Sequence, residues 1–184
     1  MEKNEKKPNN KGSIMLYKKP TLIGLNDLGG TCFINAALQC LSQTKSLTNY
    51  FLNEKNKTKI MNNNIYLNNK DEPQLSPVYY ELIHYLWEEN DIKAYSPNNF
   101  MNIINKINPL FKSGQVVDSK DCIIFILEQL HKELKNPLIA KNSNNSETNI
   151  PYIHYNKTTA LHHFIENFKN NVSVISDVFY GVIK

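Results

Sequence analysis

The chain has 184 residues, 41% of them hydrophobic and 10% aromatic, enough for one domain with its own core. Its formal charge is only +4 and all 21 basic residues are lysine; without arginine forks to read phosphate or guanine, no nucleic-acid partner is expected. No apolar run is long enough to cross a membrane, "MEKNEKKPNNKGS" at the N-terminus has no apolar signal core, and the three cysteines form no CxxC pair, so no cysteine zinc site is expected in this chain.

Residues 1–19 are rich in lysine and asparagine and are predicted to be disordered, with order beginning near "PTLIGL". The first strong element starts at Thr31 or Cys32. Phe33, Ile34, Ala36, Ala37, Leu38, Cys40 and Leu41 are apolar, and only Asn35, Gln39 and Ser42 interrupt them. This pattern predicts a buried helix with one narrow polar stripe, and Cys32 falls on that stripe one turn before Asn35. Residues 53–73 are of low complexity and predict an inserted surface loop. "SPVYYELIHYLWEEN" predicts a helix with Val78, Leu82, Tyr85 and Leu86 on one face.

"YSPNNFMNIINKINP" predicts another helix, capped by Ser96, opened by Pro97 and stopped at Asn108-Pro109. "VVDSKDCIIFILEQLHKELKNP" is the clearest helix: Asp118 caps it, Asp121 completes an approximate capping box, and Ile123, Ile126, Leu127, Leu130 and Leu134 keep helical spacing. A polar loop follows near 141–150, then a short helix over 158–169. "VSVISDVFYGVIK" predicts one or two strands. A strand left open there implies either a partner strand from elsewhere or that the chain is a piece of a longer protein.

Cys40 and Cys122 lie inside apolar runs and read as buried structural residues. Cys32 has two readings on its residues alone. It can be a small core side chain. It can also be a nucleophile at a helix start, where unpaired N–H groups favour a thiolate, hold an oxyanion, and Gly29 and Gly30 allow close approach. Free thiols place the chain in a reducing compartment, cytoplasm or nucleus.

"GLNDLGGTCFINAALQCLSQT" resembles the cysteine box of the ubiquitin-specific proteases, papain-like deubiquitinating enzymes. That box reads Gly-Leu-x-Asn-Leu-Gly-Asn-Thr-Cys-aromatic-x-Asn-small-x-Leu-Gln-x-Leu. Gly24, Leu25, Leu28, Gly29, Thr31, Cys32, Phe33, Asn35, Leu38, Gln39 and Leu41 match it. "GQVVDSKDCIIFILEQLHKEL" resembles the family's Gln-Gln-Asp-small-x-Glu-Phe helix, with Asp118 and Leu127 matching and Asp121 standing for the glutamate. "YSPNNFMNIINKINPLF" and "ISDVFYGVIK" are similar to the family's intervening and following segments.

The resemblance implies an α+β, papain-like fold of thumb, palm and fingers. Here it would be the helical thumb and the start of the fingers sheet, a partial catalytic domain over 20–184. The partners implied are ubiquitin and ubiquitinated proteins. Cys32 would attack the carbonyl of ubiquitin's C-terminal glycine. Asp27 occupies the oxyanion-hole position, where the family carries asparagine, and Asp118 and Asp121 would bind the arginine-bearing ubiquitin tail. Gly30, Val117 and Cys122 also depart from the family pattern. None of His84, His131, His154, His162 and His163 sits in the family's Gly-His box, so the chain alone is expected to lack its general base and most activity. No cofactor is expected in this chain, and a fingers zinc would lie further downstream. The alternative implied by the same fold is an inactive ubiquitin-binding module.

Overall fold

The computed structural model describes residues 23–61, 72–87, 92–112, 114–115, 117–135 and 172–180. The expectations for 1–19, for the loop at 141–150 and for a helix over 158–169 lie outside these residues. A two-residue strand, β1 (Gly24–Leu25), leads into α1 (Cys32–Ser42). Then come α2 (Lys45–Leu52), α3 (Glu54–Met61), α4 (Leu75–Trp87), β2 (Ala94–Tyr95) and α5 (Asn98–Ile107). A 3₁₀ turn (Pro109–Phe111), α6 (Ser119–Leu134) and α7 (Val174–Phe179) complete the described chain. This is the expected α+β class: helices around one core, with a small sheet at one edge.

The core runs through α1, α2, α4, α5 and α6, with Ile34, Leu38, Leu47, Phe51, Tyr79, Leu82, Phe100, Ile104, Ile126 and Leu130 buried in one cluster. α1 lies along α6 in the most extensive helix contact of the fold. Phe111 is wedged between them, its ring 6.4 Å from Phe33 and 4.9 Å from Phe125. β1 and β2 pair in parallel, Gly24 with Ala94 and Leu25 with Tyr95. Gln39 of α1 pins the other edge of this segment, donating from Nε2 to the Ile23 carbonyl at 3.0 Å.

Several expectations change. α1 is not buried all round: Phe33, Ile34, Ala37, Leu38, Leu41 and Ser42 face the core, while Cys32, Ala36 and Cys40 form an exposed stripe at i, i+4 and i+8. Cys40 is therefore an exposed thiol and not a core residue. Ser42, read as part of a polar stripe, is buried and spends its hydroxyl on the Gln39 carbonyl at 2.9 Å. Cys122 is buried as expected, and burial pushes its thiol up to about 12.

The loop expected over 53–73 contains α3; of that stretch, 62–71 is outside the described residues. Asparagine supports this helix. Asn53 Oδ1 accepts the Lys55 N–H at 3.1 Å, Asn56 Nδ2 donates to the Tyr50 carbonyl at 2.9 Å, and Ile60 alone enters the core. In α4 the buried face is Leu75, Tyr79, Leu82, Ile83 and Leu86. Tyr85 is 44% exposed and stacks on Tyr95 with centroids 4.4 Å apart. α5 starts one residue later than predicted: Pro97 is its cap residue, and the Ser96 hydroxyl receives Asn26 Nδ2 at 2.9 Å. The strands expected at the C-terminal end are replaced over Val174–Phe179 by α7, and 181–184 lie outside the described residues. The cause is local: Ser173 and Ser176 make a reciprocal capping box that outweighs β-branched propensity.

Candidate active site at the start of α1

The loop before Cys32 is organised by Asp27. Its Oδ1 accepts the Gly29 N–H at 3.1 Å, the Thr31 N–H at 2.8 Å and the Thr31 hydroxyl at 2.9 Å. Thr31, fully buried, in turn accepts the Leu28 N–H on Oγ1 at 3.0 Å. Four residues are thus drawn into one hydrogen-bonded knot. The Thr31 backbone and hydroxyl bonds, with help from the Gly29 and Gly30 N–H groups, hold the Asp27 carboxyl below its ordinary value. Asp27 is an ionised acceptor whose Oδ1 is occupied.

Gly29 and Gly30 supply the backbone this knot requires, with φ of 97° and 72°. At Gly30 a Cβ would stand 3.4 Å from the Gly114 nitrogen, an ordinary contact. An asparagine, which tolerates this left-handed conformation, would fit there.

Cys32 is the first residue of α1 and is exposed. The first-turn N–H groups have no intrahelical acceptor, and the Thr31 side chain does not cap them. The thiol and the unpaired first-turn N–H groups share one helix start.

The contact between Gly30 and Gly114 brings the segment leading into α6 against this loop. Asp118 caps α6 as predicted, Oδ1 accepting the Lys120 N–H at 2.8 Å. Asp121 lies in the first turn, exposed, with Oδ1 3.4 Å from Lys120 Nζ rather than completing the box predicted with Asp118. The described histidines are engaged elsewhere. His84 Nε2 is 3.2 Å from the Phe51 carbonyl and its ring lies tilted against Tyr80, centroids 4.0 Å apart. His131 stands thirteen residues beyond Asp118 on α6, about 20 Å away at the rise of an α-helix. His154, His162 and His163 lie outside the described residues.

Thr31 in the loop and Asn35 in α1 are the residues whose roles the sequence did not reveal. Asn35 holds the Asn26 carbonyl from Nδ2 at 3.1 Å and donates its backbone N–H to the Thr31 carbonyl at 2.9 Å. The available signal was a polar side chain on an otherwise apolar helix beside a very short strand. Cys122 is buried in the core and Cys40 is on the outside of α1, and no metal-holding cluster occurs among the described residues. No helix among the described residues is long and apolar enough to cross a membrane.

A family model described as ubiquitin carboxyl-terminal hydrolase matches residues 23–184. The chain belongs to the ubiquitin carboxyl-terminal hydrolase family, among its ubiquitin-specific proteases. It is 34% identical over 175 residues to ubiquitin carboxyl-terminal hydrolase 4 of Pongo abelii, covering 90% of this chain and 16% of that protein. It is 31% identical over 176 residues to ubiquitin carboxyl-terminal hydrolase 15 of Homo sapiens, covering 91% of this chain and 16% of that protein. Bos taurus ubiquitin carboxyl-terminal hydrolase 4 is 33% identical over 181 residues, 94% of this chain and 17% of that protein. The chain thus spans about a sixth of the length of these hydrolases.

Proposed function

We propose that this chain is the nucleophile-bearing part of a cysteine deubiquitinase, whose substrates and partners are ubiquitin and ubiquitinated proteins. The observation that carries it is the exposed Cys32 at the first position of α1, behind a loop knotted by Asp27 and Thr31, in a chain of this family. Cys32 loses its proton to a base, and its sulfur bonds to the carbonyl carbon of ubiquitin's C-terminal glycine. The bond to the leaving amine breaks as that amine takes the proton. Water then hydrolyses the thioester and regenerates the thiol. First-turn N–H groups of α1 hold the oxyanion. Asp118 and Asp121 present carboxylates to the basic tail of ubiquitin. The base is supplied by residues other than those gathered at this loop.

The test uses the whole protein and a ubiquitin probe with a C-terminal electrophile. The parent labels, and Cys32→Ala does not; equal labelling of the two overturns the proposal. Asp27 motivates one second reading, a module that binds ubiquitin without cleaving it, because a carboxylate stands where the family has a donor. Saturable ubiquitin binding with no labelling of the parent would establish that reading instead.

A further inference from the structure

The segment through β1 is held from two sides. Gly24 and Asn26 donate their N–H groups to the Lys93 and Tyr95 carbonyls at 3.0 and 2.9 Å. Toward α1, carbonyls of the same segment need donors, and two amides supply them. Gln39 Nε2 takes the Ile23 carbonyl at 3.0 Å; Asn35 Nδ2 takes the Asn26 carbonyl at 3.1 Å and, at 3.5 Å, that of Leu25. The two ties are chemically alike, but only Asn35 grips the peptide bond that enters Asp27. The Asn35 backbone N–H also holds the Thr31 carbonyl at 2.9 Å. One residue therefore closes the Asp27–Thr31 loop at both ends, one turn below Cys32. It does so although Asn35 Oδ1 is buried without a partner among the described residues. An apolar side chain would avoid that cost, so the two donated bonds account for an amide here.

We propose that Asn35 is a positioning residue for Cys32, fixing the Asp27–Thr31 loop so that the thiol and the first-turn N–H groups of α1 meet the carbonyl under attack in one geometry. This rests on the reading of Cys32 as the nucleophile. Asn35 touches no reacting atom; it acts through the loop.

The experiment compares Asn35→Ala with Gln39→Ala in the whole protein, using ubiquitin with a fluorogenic amide on its C-terminal glycine. Both variants lose one amide tie, and both melting temperatures fall by similar amounts. Asn35→Ala lowers kcat about 10- to 100-fold with KM within about twofold, the signature of misplaced reacting groups. Gln39→Ala keeps kcat within about threefold of the parent, because its tie lies upstream of the loop. Should Asn35→Ala fail to melt cooperatively, the isosteric Asn35→Asp, which also cannot donate, is read in its place and shows the same fall in kcat. Equal kcat losses in the Asn35 and Gln39 variants, or an Asn35 variant with parental kcat, overturn the positioning role while leaving Cys32 as nucleophile. A parent that does not cleave, or cleaves equally well as Cys32→Ala, overturns the reading of Cys32 and the positioning role with it.

Discussion

Asp27 carries a charge where the resemblance to the cysteine box implies an amide, and its bonds show what that charge does. Oδ1 accepts three hydrogen bonds from Gly29 and Thr31. An asparagine oxygen can accept the same three, and its nitrogen would then be a donor that Asp27 lacks. Asp27→Asn is therefore expected to keep the loop and raise kcat of the whole enzyme by about tenfold, a part of what one oxyanion donor contributes; a fall in kcat would show that the second carboxylate oxygen is needed. The acid limb gives an independent reading. The folded-state value of Asp27 is lowered, so its contribution to stability is present above the ordinary carboxylate range and is lost as pH falls through the lowered value. Asp27→Asn removes that contribution, and acid unfolding followed by circular dichroism becomes less steep there. At this scale the sequence located Cys32, Asp118 and the glycine turn, because caps, turns and helix starts are local. It could not show that Asp27 and Thr31 bond each other, or that Cys40 faces outward, because the rotation of α1 is set by its packing on α6.

Two elements were misread, and both are decided by side chains bonding to backbone. Asparagine-rich sequence suggested a loop where α3 forms, and β-branched sequence suggested strand where α7 forms. α7 also carries a titratable lock to α6. Ser173 Oγ accepts the Ile175 and Ser176 N–H groups at 3.1 and 3.3 Å, so its own hydrogen points to His131 Nδ1, 2.8 Å away. The imidazole must then be neutral, with its proton on Nε2. Burial, assisted by the charge of Lys135, lowers the His131 value and favours that form. A lowered histidine gives stability that is complete above its unfolded value and is lost as pH falls below it, since the unfolded chain takes up the proton more readily. The melting temperature of the chain is expected to drop on going from pH 7 to pH 5. His131→Asn, which keeps an acceptor near the Nδ1 position without the titration, flattens that drop. An unchanged slope in His131→Asn would mean that α7 is docked by its apolar contacts alone.

Among the described residues, apolar periodicity reported the core helices in part: Leu82, Leu86, Ile126, Leu130 and Leu134 lie inside, while Val78, Ile123 and Leu127 are half-buried and Tyr85 is exposed. Long-range polar pairing left no such trace. β1 and β2 are two residues each and distant in sequence, and nothing periodic announces their pairing. The same holds for Glu133, which the sequence presents as one more charge near the end of α6. It is 2% exposed. Oε1 accepts the Leu75 N–H at 2.8 Å and Gln129 Nε2 at 2.7 Å, and Oε2 accepts the Ser76 N–H at 2.7 Å. The last turn of α6 thus caps the first turn of α4, where a carboxylate meets unpaired N–H groups and the positive end of a helix dipole. Glu133→Ala would leave those buried donors without acceptors, at a cost of about 3 kcal/mol. For a chain of this size that lowers the melting temperature by about 6–12 °C. Glu133→Gln keeps one accepting oxygen and replaces the other with a donor facing a donor, so it falls between the two. Scanning calorimetry of the three proteins decides the point: a Glu133→Ala protein melting within about 2 °C of the parent would mean that water replaces the carboxylate at the start of α4.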